Sequence, residues 1–96
     1  MTGNTDSIGE SDFLAAAARG DADVVRGGLD GGVAADTADT YGNTALMMAC
    51  ARGQREVCRV LLDAGANPEH RNRYGFGPRQ WAEWASDGTA IRALLD

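Results

Sequence analysis

The chain repeats itself every 33 residues without a gap. Sliding the sequence by 33 lays Gly9, Gly42 and Gly75 on one another, with Tyr41 on Tyr74, Arg19 on Arg52 and Gly20 on Gly53. Val24, Arg26, Leu29, Asp30 and Gly32 fall on Val57, Arg59, Leu62, Asp63 and Gly65. From the second unit to the third, Ala49 falls on Ala82, and Leu61 and Leu62 fall on Leu94 and Leu95. A fixed period of this length means one supersecondary unit used several times. Each unit is too small to bury its own apolar face, so neighbours must stack. The 96 residues hold three such units, about the minimum for a stable array, in one domain.

Within a unit the period is helical. In the middle one, Thr44 is placed to cap a helix by accepting from backbone N–H groups that the first turn leaves open. Leu46, Ala49 and Cys50 then fall at i, i+3 and i+4 and make one apolar face. Gly53 ends this helix and a second starts near Arg55, with Val57, Val60, Leu61 and Leu62 on its apolar side. The run DAGANP, residues 63 to 68, stops it, and Gly65 suits the left-handed closing position. Each unit is predicted to be two short antiparallel helices followed by an extended turn.

The middle unit, DTYGNTALMMACARGQREVCRVLLDAGANP, resembles an ankyrin repeat. It has the turn glycine, the Thr-led first helix, a pair of small residues (Ala49 and Cys50), the Gly between helices, the Val-x-x-Leu-Leu helix and the closing Gly-Ala-Asn. The third unit keeps Gly75, Pro78, Ala82, Ile91, Leu94 and Leu95, and the first keeps Phe13, Ala16, Ala17, Gly20, Val24, Val25 and Leu29. The resemblance implies an all-α solenoid of three helix–turn–helix units with extended β-turn fingers. Residues 1–8 are expected to be a disordered lead-in to a domain over 9–96, with repeats at about 9–38, 39–71 and 72–96.

Three departures stand out against the family pattern. Gly27 and Gly28 occupy second-helix positions that are usually apolar, which makes the first repeat the weakest. Met47 replaces a His, so the turn is expected to lose a side-chain hydrogen bond. Arg79 and Gln80 replace Leu-His, and Glu83 replaces a small Ala. These fit the polar outer face of a terminal cap, and the array reads as complete.

Composition limits the function. Nine basic against fourteen acidic residues give a formal charge of −5, which opposes binding of nucleic acid or anionic membranes by the chain as a whole. All nine cations are arginine. Arg forks pair with carboxylates and stack on rings, although the abundance of Ala, Gly and Arg also fits a GC-rich genome. The absence of lysine removes Schiff-base and Walker-type chemistry, and no nucleophile–base pair is visible. No apolar run approaches the roughly 20 residues of a membrane span, and MTGNTDSIGE lacks the basic and apolar regions of a signal peptide. Cys50 and Cys58 are expected to be buried thiols, His70 a turn residue, and Asp21 and Asp87 N-caps of second helices. A cytoplasmic monomer without cofactor or metal is the expectation.

Residues 71 to 84, RNRYGFGPRQWAEW, gather three arginines and four aromatic rings. In the family, partners are held by residues flanking the turn glycine and by the solvent side of the first helix, which line a concave groove. Carried over, these positions are Thr40, Tyr41, Asn43, Ala51 and Arg52 in the second unit. In the third they are Arg71, Arg73, Tyr74, Phe76, Trp84 and Ala85. Trp81 lies one helical turn before Trp84, and Met48 is its counterpart. The predicted partner-binding set is therefore Tyr41, Asn43, Met48, Arg52, Arg71, Arg73, Tyr74, Phe76, Trp81 and Trp84. Set against it, Tyr41 and Tyr74 could merely pack turn on turn, Trp81 could cover an apolar end, and the arginines could be solvated surface. The reading that results is a non-catalytic protein-binding module, a small inhibitor or adaptor whose partner carries an acidic patch if the arginines act. Nucleic-acid binding through the Arg and ring patch is the first alternative and a small enzyme the second.

Overall fold

A computed structural model of the chain describes residues 9–83 and 88–95. The expected lead-in, and Trp84, Ala85 and Asp87, lie outside the described residues. The described residues form six helices: α1 (Glu10–Arg19), α2 (Ala22–Asp30), α3 (Ala45–Ala51), α4 (Arg55–Asp63), α5 (Pro78–Glu83) and α6 (Gly88–Leu95). They pack as three pairs, α1 with α2, α3 with α4 and α5 with α6. The first helices stack as one layer, α1 on α3 on α5, and the second helices as another, α2 on α4 on α6. This is the all-α solenoid that the 33-residue period predicts.

Small residues let the first helices lie close. Ala16, Ala17, Ala49, Cys50 and Ala82 are fully buried in the layer, and Phe13, Leu46, Val57, Leu61 and Ile91 fill the space between layers. The caps follow the sequence. The Asp21 carboxylate accepts from the Val24 N–H at 3.3 Å, and the Thr44 hydroxyl accepts from the Met47 N–H at 3.3 Å. The second pair closes at Gly65, whose backbone is left-handed as expected (φ 94°).

Two of the departures act differently from the expectation. Met47 does not leave the turn short of a bond, because its thioether folds back and its Sδ accepts the Thr44 N–H at 3.4 Å. A sulfur is a weak acceptor, but it completes a reciprocal capping box. Gln80, 33 residues on, does the same at α5, where its Oε1 accepts the Gly77 N–H at 2.7 Å. Gln80 is thus half-buried rather than an outer-face residue. Arg79 replaces the buried Leu46 position with a half-buried guanidinium that donates to the Leu95 carbonyl at 3.2 Å and pairs with Glu69 at 3.2 Å. A cation at the carbonyl end of α6 also opposes that helix's dipole charge.

The repeats are also tied by side chains that cross between units. The Gln54 amide donates to the Ala18 carbonyl at 3.1 Å, and the Asp36 carboxylate accepts from the Asn67 N–H at 2.8 Å. Arg26 reaches Glu56 at 2.6 Å on the outer layer. That pair is exposed, so it contributes little beyond marking the register.

Between each helix pair and the next, the chain runs out into a finger. In the second finger the Asp39 Oδ1 accepts from the N–H groups of Tyr41 and Asn43, both at 2.9 Å, while the Gly42 N–H donates to the Asp39 carbonyl at 3.0 Å. In the third, the Asn72 Oδ1 accepts from Tyr74 and Phe76 N–H at 2.8 and 3.0 Å, and the Gly75 N–H donates to the Asn72 carbonyl at 3.0 Å. Asp39 and Asn72 are 33 residues apart, so the period extends to individual hydrogen bonds. The fingers are joined where the Arg73 N–H donates to the Tyr41 carbonyl at 2.9 Å and the Asn72 amide donates to the Asn43 Oδ1 at 2.8 Å.

Gly42 and Gly75 have almost the same left-handed backbone, φ 82° and 84°, but different surroundings. A Cβ at Gly42 would stand 3.2 Å from the Asn72 Cα and the Arg73 N of the neighbouring finger, whereas one at Gly75 would meet nothing within 4 Å. Gly75→Ala should therefore cost only the left-handed strain, about 1–2 kcal/mol, and Gly42→Ala that plus roughly 1–3 kcal/mol for pushing the fingers apart. Urea unfolding of the two variants measures the difference, and equal losses would show that the fingers are not in contact.

The first repeat is the thinnest. α2 stays helical through Gly27 and Gly28 but buries only Val25 and Gly28, where α4 buries Val57, Cys58 and Leu61. Gly28 holds the register position of Leu61, so that position brings no side chain to the core. Gly27 is exposed within the helix, so Gly27→Ala should stabilise the chain by about 1 kcal/mol. The amides of Val24 and Leu29 should exchange faster than that of Leu61, and equal protection would refute the ranking.

Candidate functional site

Three large hydrophobic side chains are exposed among the described residues, Tyr41 (52%), Tyr74 (66%) and Phe76 (41%), and all three are finger residues. The finger hydrogen bonds fix their backbones, since Tyr41, Tyr74 and Phe76 each donate an N–H to Asp39 or Asn72. The Tyr41 and Tyr74 rings stack with centroids 6.4 Å apart and planes at 27°. They do pack turn on turn, yet each keeps half or more of its surface in solvent.

These rings share an open cleft of about 410 Å³ lined by Tyr41, Asn43, Asn72, Tyr74, Phe76 and Trp81. Trp81, on α5, is partly buried against the core and lines the cleft. A small adjoining hollow of about 30 Å³ lies among Asn43, Met47, Met48 and Trp81, so Met48 sits beside the cleft at its helical end. Of the ten predicted site residues, Tyr41, Asn43, Tyr74, Phe76 and Trp81 line one cleft and Met48 adjoins it. Trp84 lies outside the described residues.

The arginines are not gathered there. The Arg71 guanidinium donates to the Gly75 carbonyl at 2.8 Å, bracing the third finger from behind, and its neighbours are Pro68, Glu69, Gly77, Arg79 and Gln80. Arg52 is exposed at the C-terminal end of α3, the end away from the fingers. Arg73 is exposed, with its backbone N–H tied to the Tyr41 carbonyl, and it is not among the residues that line the cleft. The side chain of an arginine is long enough that spacing alone does not fix where its guanidinium ends.

The residue that the sequence reading passed over is Asn72. It is buried, it sits in the cleft wall, and its amide group makes three hydrogen bonds, two accepted and one donated. The Asn43 amide completes the relay, donating to the Asp39 Oδ2 at 3.4 Å. The signal lay in the register: Asp39-x-Tyr-Gly falls on Asn72-x-Tyr-Gly, two short polar side chains that turn the backbone in the same way.

Elsewhere, Cys50 and Cys58 are fully buried with their Sγ atoms 3.7 Å apart. The hydrogen bond with Cys58, and then burial, push the Cys50 thiol far above the ordinary thiol range, so it stays protonated and unreactive. His70 is half-buried in the turn that leads to the third finger. Among the described residues no helix is long and apolar enough to cross a membrane.

Compared with models of known protein families, the chain matches that of ankyrin repeats, in three copies, across residues 4–96. A comparison with curated proteins gives no match.

Proposed function

The chain belongs to the ankyrin-repeat family, and from that premise we propose that it is a non-catalytic inhibitor or adaptor that holds one protein partner in the finger cleft. Ankyrin repeats are generally protein–protein interaction modules, and the family is typically non-catalytic. The observation that carries the reading is that Tyr41, Tyr74 and Phe76, the large hydrophobic side chains exposed among the described residues, all line one cleft. Scattered exposed apolar residues need no explanation, but clustered ones mark contact surfaces. Tyr and Trp are also the residues in which binding energy concentrates, because they bury much area while losing few rotamers. Short arrays have little surface, so occlusion or bridging of one partner suits this chain better than scaffolding. The cytoplasm is the setting this reading implies.

The nucleic-acid alternative is weakened by the arginines. Arg71 and Arg79 spend their guanidinium groups on the Gly75 and Leu95 carbonyls, and only neutral residues line the cleft.

Paired capture from an extract of the source cell tests the reading, with the native chain as one bait and Tyr41→Ala with Tyr74→Ala as the other. Both rings are exposed, so circular dichroism should find the two baits equally helical. A protein held by the native bait and lost from the variant is the expected result. Identical retention by both baits would mean that the rings only pack on each other.

A further inference from the structure

We infer that the finger cleft takes an extended, proline-rich segment with an acidic residue beside it. The inference rests on the cleft being the binding site and adds what kind of chain it holds. Among the recurring ways in which folded proteins hold a peptide are an open sheet edge, a trough for a helix, an Arg cluster for an acidic motif and an aromatic-lined groove for a polyproline-type segment; the arginines are not gathered at this cleft. Among the described residues the β pairing is confined to the Ala38–Thr44 bridge, so no sheet edge is on offer. A helix is about 10–12 Å across and presents anchors over several turns, whereas this cleft of about 410 Å³ lies toward the small end of ligand sites.

The lining fits the aromatic-lined groove. Four aromatic side chains, Tyr41, Tyr74, Phe76 and Trp81, face one space, and proline rings pack flat on such faces. A polyproline segment has no internal hydrogen bonds, so its carbonyls need donors from the groove. Donors are present. Asn72 and Asn43 each use one amide N–H within the finger network, which leaves a second N–H on each, and the exposed tyrosines carry phenol groups.

Charge selects the flank. Only neutral residues line the cleft, so its occupant is neutral along its body. At the rim the Asp39 carboxylate is turned onto the N–H groups of Tyr41 and Asn43 and the Asn43 amide, while Arg73, whose own N–H is bonded to the Tyr41 carbonyl, is exposed. In a chain of net charge −5, Arg73 is an exposed cation whose backbone joins the two fingers. A carboxylate next to the prolines would pair with Arg73.

The test uses fluorescent synthetic peptides with proline at alternate positions and a single glutamate moved through the sequence, titrated against the native chain by anisotropy. Two control sets replace the prolines with alanine or the glutamate with lysine. Saturable binding is expected from the proline–glutamate set and should fall about tenfold or more with Tyr74→Ala, as for a hot-spot ring. Arg73→Glu, an exposed change, should reverse the preference from glutamate to lysine peptides. Absence of saturable binding across the whole set, equal binding of the alanine peptides, or binding untouched by Tyr74→Ala would each overturn the inference. If the peptides fail while the extract capture still depends on Tyr41 and Tyr74, the cleft is the site and its occupant is of another kind. If both fail, the cleft itself is not the site.

Discussion

Asn72 couples the stacking of the units to the placement of the finger rings. Its amide nitrogen crosses to Asn43 of the preceding finger, and its amide oxygen holds the backbone of its own finger at Tyr74 and Phe76. A buried amide left without these partners would cost a full desolvation penalty, so the arrangement is stable only when both fingers are in register. The helices need the same register for a different reason. Helices of six to ten residues are too short to persist alone, and their apolar faces are covered only by the next unit. Polar bonds between the fingers and two apolar layers therefore fix the same relative position, and each supports the other.

The repeat is conserved as geometry more than as chemistry. Where the second unit uses Met47 to close the first turn of a helix, the third uses Gln80, one with a sulfur and one with a carboxamide oxygen. Where the first unit caps its second helix with the Asp21 carboxylate, the second places Gln54, which leaves its own helix uncapped and ties back to Ala18 instead. Asp39 and Asn72 turn their fingers alike, yet only the amide can also donate across to the neighbour. A carboxylate at position 72 could accept the same two backbone N–H groups but would face the Asn43 oxygen without a hydrogen to give.

This explains which parts of the molecule could be read from the sequence. The helices and their order follow from apolar spacing and from glycines at fixed offsets, because burial against a neighbour is a constraint spread over many residues. Thr44, Asp21 and Gly65 were legible for a similar reason, since a helix end needs a particular kind of group at a particular place. Tyr41, Tyr74, Phe76 and Trp81 could be placed on one side through the family resemblance, and the structure brings them to one cleft. Arg71 could not, because four rotatable bonds let its guanidinium turn behind the finger to Gly75. Asn72 was missed because asparagine before a turn glycine has a sufficient local reason to be there, and nothing local reveals a second bond to a residue 29 positions away. Met47 misled because a thioether is counted as apolar filling, and its weak acceptor matters only where a single N–H would otherwise be bare.

The same interlock bears on the binding proposed for the cleft. Exposed rings on a loose loop would have to be ordered when a partner arrives, and that ordering would be subtracted from the affinity. Here the ordering is done during folding. The Tyr41 backbone is held by the Asp39 carboxylate and the Tyr74 backbone by the Asn72 amide oxygen, the Arg73 N–H joins the fingers between them, and the two rings brace each other. Gly42 lets the fingers approach closely enough for that join, since any side chain there would meet Asn72. The constraint that builds the solenoid thus also pre-forms its aromatic cleft, and a substitution that loosens the finger register should weaken binding even when it touches no ring.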